Sequence, residues 1–278
     1  AGASRTGGRK ADAGSAPPAM RNLFARLSTE YDARNNRRED IYRQGRELTI
    51  RSKRLIFLLH RFDPGSKNED LLANGRRDLN SLLNIVRNIH GLLLDEDDYW
   101  RMLSKFSFGI QEFVEAVSFM HYLETNEIIS RDRLHEMISA FTPAETDTTE
   151  GEKKAVSAPK RPDWVFSITW EDYLMGIADT TGELMRLATT YAGAGDKKGP
   201  GDIMKKVQRL HNVLLPIRMY PRDWKKKMSI MLQSLQKMEE VCYKLQIQGE
   251  EYPPHILRAL INEQDKFRRE SEFEVQGE

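Results

Sequence analysis

The run Phe106 to Leu123, FSFGIQEFVEAVSFMHYL, sets its apolar residues at helical spacing. Phe106, Ile110, Phe113, Val117 and Met120 fall on one side at intervals of three and four. An ordinary surface helix carries mixed charge on its other side. Here Phe108, Ala116 and Phe119 share that side with Glu112 and Glu115, which at about 100° per residue stand about 60° apart. A helix that is apolar almost all round is a buried one. Two carboxylates on it need a cation, a proton or hydrogen-bond donors. The E-x-x-E pair is therefore a candidate site, although glutamates bridged to a neighbouring arginine would give the same pattern.

The same periodicity predicts helices along the rest of the chain. A very long first helix covers 22–62, with Phe24, Leu27, Tyr31, Ile41, Leu48, Leu55, Leu59 and Phe62 on one seam. Arg34, Arg38 and Gly45 interrupt that seam, and Asp63-Pro64-Gly65-Ser66 ends the helix. A second helix covers 69–90, with Gly91 expected just beyond its end. Asp95 caps a third, which carries the E-x-x-E run to Thr125 and is expected to bend at Ser107-Phe108-Gly109. Ser130 caps a short fourth, ending near Phe141.

Residues 142–163 are polar and aperiodic and read as a mobile loop, and Trp164 to Ile168 as a brief extended piece. Thr169 with Asp172 forms a variant capping box that opens a fifth helix. Tyr173, Ile177, Thr181, Leu184 and Ala188 are its core side, and Asp179, Glu183 and Arg186 share the opposite side with Gly176 and Gly182. Two glycines there, each costing about 1 kcal/mol against alanine, suggest close approach of another backbone. A sixth helix starts near Asp202 and stops at Pro216. A seventh runs from Pro221 to about Gln248, with Trp224, Met228, Met231, Leu235, Met238, Val241 and Leu245 inward. A short last helix follows Pro253-Pro254. The expectation is an all-α bundle of long antiparallel helices forming one domain over 21–262. Residues 1–20 read as a disordered basic segment and 263–278 as a loose tail.

Composition narrows the function. Charged residues make up 31% of the 278, and no apolar run is long enough to span a bilayer. Cys242 is the only cysteine, so no internal disulfide forms and a reducing, intracellular compartment is expected, the cytoplasm with the nucleus as a further setting. Arg9-Lys10 alone offers little toward nuclear import. The net charge of +1 hides an uneven distribution: from Arg21 to Arg61 there are eleven Lys/Arg against five Asp/Glu. Arg43, Arg51, Arg54 and Arg61 project to one stripe, which suits phosphates or a solvated bundle face equally. The six histidines lack ligand spacing, Cys242 has no evident base, and there is no Gly-rich phosphate loop.

Two helices thus carry two carboxylates each, opposite a packing face. Converging carboxylates repel unless protonated or bound to a cation. Oxygen-only donors suit Mg²⁺, Mn²⁺ or Ca²⁺, and Mg²⁺ so held is a common apparatus for cutting phosphodiesters.

The segments SKRLIFLLHRF, GIQEFVEAVSFMHYL and DYLMGIADTTGELMR resemble the translin family, in particular its catalytic branch, and the likeness runs in order from Phe24 to Gly249. The resemblance implies a seven-helix bundle that assembles with translin into a closed hetero-oligomeric shell. It implies a Mg²⁺-dependent endoribonuclease on single-stranded RNA, tied to removal of nicked passenger strands from small-RNA duplexes in RNA interference and to transfer-RNA processing. By motif, Glu112 and Glu115 from EFVEAVSF and Asp179 and Glu183 from ADTTGEL would be the Mg²⁺ ligands, one of them alternatively a general base. Arg51, Lys53, Arg54 and Arg61 are the expected phosphate contacts. The alternative is a helical scaffold that binds translin and RNA without chemistry.

Overall fold

The computed structural model describes residues 17–140, 164–218 and 222–248. Eight α-helices stand among them: α1 (Pro18–Leu59), α2 (Glu69–Leu92), α3 (Glu96–Met102), α4 (Ser107–Thr125), α5 (Arg131–Ala140), α6 (Trp170–Gly193), α7 (Gly199–Leu214) and α8 (Arg222–Gln248). A 3₁₀ turn, Leu103–Lys105, separates α3 from α4. The single third helix expected from periodicity is therefore two, and the break falls just before the expected bend. At that point the Lys105 carbonyl and Phe106 lie against Gly45 of α1, where a Cβ would stand 2.8–2.9 Å from backbone atoms. Gly91 lies inside α2, which continues to Leu92. The segment 142–163, Phe141, the helix expected after Pro253 and both chain ends lie outside the described residues.

Local chemistry accounts for the ends. The Asp95 carboxylate accepts from the Asp98 backbone N–H and caps α3. Ser130 Oγ accepts from the N–H of Arg133 at the start of α5, and Thr169 Oγ1 accepts from Asp172 at the start of α6. Asn126 closes α4 in the left-handed region, and Gly195, at φ 84°, turns the chain from α6 into α7.

The helices make two layers. In one, α1, α4, α6 and α8 lie side by side in that order; α2 covers α1 and α4, and α7 covers α6 and α8. Helix α2 runs antiparallel to α1: Arg51 reaches Ser81 while Leu59 touches Gly75. The four helices of the first layer are mutually parallel. Gly45 meets Gly109 and His60 meets Phe119 between α1 and α4. Ser107 bonds Asp172, and Tyr122 shares a cavity with Tyr191, between α4 and α6. Lys227 bonds Asp179, and Leu245 packs on Ala192, between α6 and α8.

The core is built from the faces the spacing predicts. On α4, Ile110, Phe113, Val117, Met120 and Phe119 are all buried, because α1, α2 and α6 surround it. On α1 the buried residues begin at Ile41. Upstream, Met20, Leu23, Phe24, Leu27 and Tyr31 are exposed, so the seam read from the sequence continues beyond the body of the bundle.

Candidate functional site

A cleft of about 430 Å³ opens between α1, α4, α6 and α8, lined among others by Glu112 and Glu115 from α4 and Asp179 and Glu183 from α6. Helices separated in sequence thus bring all four acidic positions to one place. Register is set by glycine. At Gly109 a Cβ would stand 2.5 Å from the Gly45 carbonyl, and at Gly176 one would stand 2.6 Å from the Gln111 carbonyl and 2.7 Å from Val114. Backbones can approach this closely only where no side chain intervenes. The second glycine of the acid face behaves differently: nothing lies within 4 Å of a Cβ at Gly182, which instead forms part of the cleft wall.

Three of the carboxylates face a cation. Lys53 Nζ lies 3.1 Å from Glu112 Oε1. Lys227 Nζ donates to Asp179 Oδ2. His60 Nε2 is 2.6 Å from Glu183 Oε2, with Arg186 Nη1 3.5 Å from the same oxygen. Glu115 has no hydrogen-bond or ion-pair partner among the described residues, although it is only 9% exposed. Burial pushes its carboxyl up to about 8, helped by the charges of Asp179, Glu112 and Glu183 and opposed by Lys227. Burial also raises Glu112; Lys53 opposes that shift and Asp179 adds to it.

The site is thus a water-accessible concentration of carboxylates, one of them short of a counter-charge, balanced by long flexible cations. Such a donor set can take up a hard divalent ion or hold protons. Among the described residues, no three His, Cys, Asp or Glu side chains are grouped closely enough to grip an ion as they stand. Lys53 and Lys227 meanwhile supply the balancing charge.

Of the four basic residues expected to hold phosphates, Lys53 lines the cleft. Arg51, Arg54 and Arg61 lie roughly 80–160° around α1 from it. Arg51 is bonded to Glu47 and to Ser81, and Arg43 of the same stripe to Asp40. His60 and Lys227 were not singled out by sequence reasoning. The one available signal for His60 was that Lys53, Phe57 and His60 recur at i, i+4 and i+7 on α1. Asp172 also departs from expectation: beyond the cap, its carboxylate accepts from Ser107 Oγ at 2.5 Å and Gln111 Nε2 at 2.9 Å, tying α6 to α4.

The described helices include none long and apolar enough to cross a membrane. A family model, "Translin family", matches residues 36–249. The chain is 33% identical over 260 residues to translin-associated protein X of Rattus norvegicus, covering 90% of this chain and 86% of that protein. Its fold is similar to the crystal structure of apo-NeC3PO, with a TM-score of 0.59 at 21% identity, covering 83% of this chain and 98% of that one. It is also similar to an AfC3PO–duplex RNA complex, with a TM-score of 0.57 at 16% identity, covering 83% of this chain and all of the other.

Proposed function

The chain belongs to the translin family, and on that premise we propose that it is a metal-dependent endoribonuclease subunit that cuts single-stranded RNA within a hetero-oligomer with translin. The observation that carries the reading is the meeting of Glu112, Glu115, Asp179 and Glu183 on one cleft, with Glu115 buried and unpartnered. The name of the rat relative speaks of association with translin, and one structural neighbour holds duplex RNA. Passenger-strand removal and transfer-RNA processing are the settings this activity would serve.

The donor set fits Mg²⁺ or Mn²⁺, since every candidate ligand is a carboxylate oxygen and one already lacks a counter-charge. When bound, the ion would supply an activated water and charge stabilisation on the phosphoryl oxygens. The protein's own groups divide the remaining work. Glu112, Glu115, Asp179 and Glu183 would hold the cation collectively. Lys53 and Lys227 swing from their carboxylates to the phosphates of the strand, which keeps the cleft balanced before and after loading. His60 holds the Glu183 carboxylate through Nε2 and packs against Phe119, with the rings tilted and their centroids 5.5 Å apart, fixing one wall.

The test is cleavage of single-stranded RNA by the complex with translin, with Mg²⁺ and with chelator. Replacing Glu115, Glu112, Asp179 or Glu183 by Ala should lower the rate by about 10²–10³ while assembly and RNA binding persist. Full activity in a Glu115→Ala complex rejects this role. A second reading, an RNA-binding scaffold without chemistry, draws on the pairing of three carboxylates with Lys53, Lys227 and His60. It is favoured by absent cleavage with Mg²⁺ present, whereas cleavage that survives chelation rejects the metal dependence of the first reading.

A further inference from the structure

The mouth of the acidic cleft carries aromatic surface that the fold does not use. Phe57 lines the cleft yet is 76% exposed, one turn beyond Lys53 on α1. Phe108, one turn before Glu112 on α4, is 60% exposed. The Lys53 ammonium lies 5.9 Å from the centre of the Phe108 ring while also facing Glu112. One open phenyl ring thus lies against the ammonium, and a second stands one turn along the same helix as that lysine, beside four carboxylates.

Exposed rings gathered beside a polar cleft are the kind of apolar surface that marks a binding site. A protein partner packed on both would also bury Lys53, whose side chain is 59% exposed, and the acid group beside it. Burying charged groups is costly unless all their hydrogen-bonding capacity is met. A single-stranded nucleic acid covers the same surface without that cost, because its bases stack on the rings while its phosphates meet the ammonium.

We propose that Phe57 and Phe108 form a base-stacking platform, receiving unpaired nucleobases on either side of the phosphate that Lys53 holds. The proposal rests on the reading of this cleft as an RNA site and deepens it. The platform makes the site selective for single strands, since bases locked in a duplex cannot turn onto the rings. It is tolerant of sequence, with purines favoured for their larger stacking area.

The test separates stacking from cutting. The full chain, in complex with translin, is titrated in chelator with a fluorescent A-rich single-stranded RNA, and with the same strand carrying abasic positions. Phe57→Ala should weaken binding of the intact strand about tenfold, Phe57→Leu should weaken it comparably, and Phe57→Tyr should restore it. All four proteins should bind the abasic strand alike, and the loss should persist as salt is raised. In Phe57→Trp, the indole emission should be quenched by the intact strand and not by the abasic one. Unchanged affinity in Phe57→Ala and in the Phe57→Ala/Phe108→Ala double variant overturns the platform. So does normal binding by Phe57→Leu, which would indicate apolar cover alone. Loss of assembly with translin in place of loss of RNA affinity also overturns it and marks the rings as a protein contact. Because no divalent ion is present, the binding result stands whether or not the acids prove catalytic.

Discussion

Glu115 is the residue on which the electrostatics of the cleft turn. Its carboxyl is buried and pushed up to about 8, first by burial and then by three neighbouring acids. An acid whose folded value lies above its ordinary 4.5 binds its proton more tightly in the native state. The native chain therefore loses stability as pH rises from about 4.5 to about 8, and the loss levels off above that. Glu115→Gln mimics the protonated form. Its thermal unfolding should match the native protein near pH 4.5 and exceed it at pH 8, by on the order of a few kcal/mol. If the carboxylates hold Mg²⁺, the ion should raise the melting temperature of the native protein at pH 8 and leave that of Glu115→Gln nearly unmoved. Lys53 and Lys227 act in the opposite sense, each offsetting an acid it touches.

At the scale of the helix, two glycines of α6 make a contrasting pair. Gly176 is pressed against Gln111 and Val114, whereas Gly182 faces open space. Gly176→Ala should destabilise by about 1–3 kcal/mol through overpacking. Gly182→Ala should stabilise by up to about 1 kcal/mol, since only the backbone entropy term remains. Chemical denaturation of both variants checks the pair. Removing the α6 cap with Thr169→Ala should cost about 1 kcal/mol. These elements also show how far a sequence can be read. Helix identity, the Asp95, Ser130 and Thr169 caps, and the inward faces of α4, α6 and α8 follow from spacing, because burial and local hydrogen bonding act within a few residues. The break at 103–106 does not follow, because it coincides with a backbone contact to Gly45, distant in the chain. The four acids were legible as pairs within single helices. Their partners His60 and Lys227 were not, since each comes alone from another helix and is defined only by what packs opposite.

For the molecule as a whole, the two-layer arrangement leaves the first turns of α1 outside the body. Met20, Leu23, Phe24, Leu27 and Tyr31 are exposed there, and buried α1 residues start at Ile41. Removing residues 1–35 should therefore shift the melting temperature of the isolated chain by no more than about 2 °C, within the range of surface changes. Scanning calorimetry on the shortened chain checks this. A large drop would mean that the helix start packs on the bundle after all. The periodicity alone places this stretch on the same seam as Ile41 to Phe62, interrupted at Arg34, Arg38 and Gly45, because it records which residues are apolar and not which of them find a partner.

The glycine contacts flank α4 on both sides, Gly109 against α1 and Gly176 against the turn that holds Gln111 and Val114. Glu112 and Glu115 sit on those same turns, so the acid-bearing jaw is clamped like a fixed anvil. Accommodation of an incoming strand must then come from the reach of the Lys53, Lys227 and Arg186 side chains. Ligand-bound and ligand-free forms should accordingly superpose closely along the α4 backbone and differ in the rotamers of those three cations.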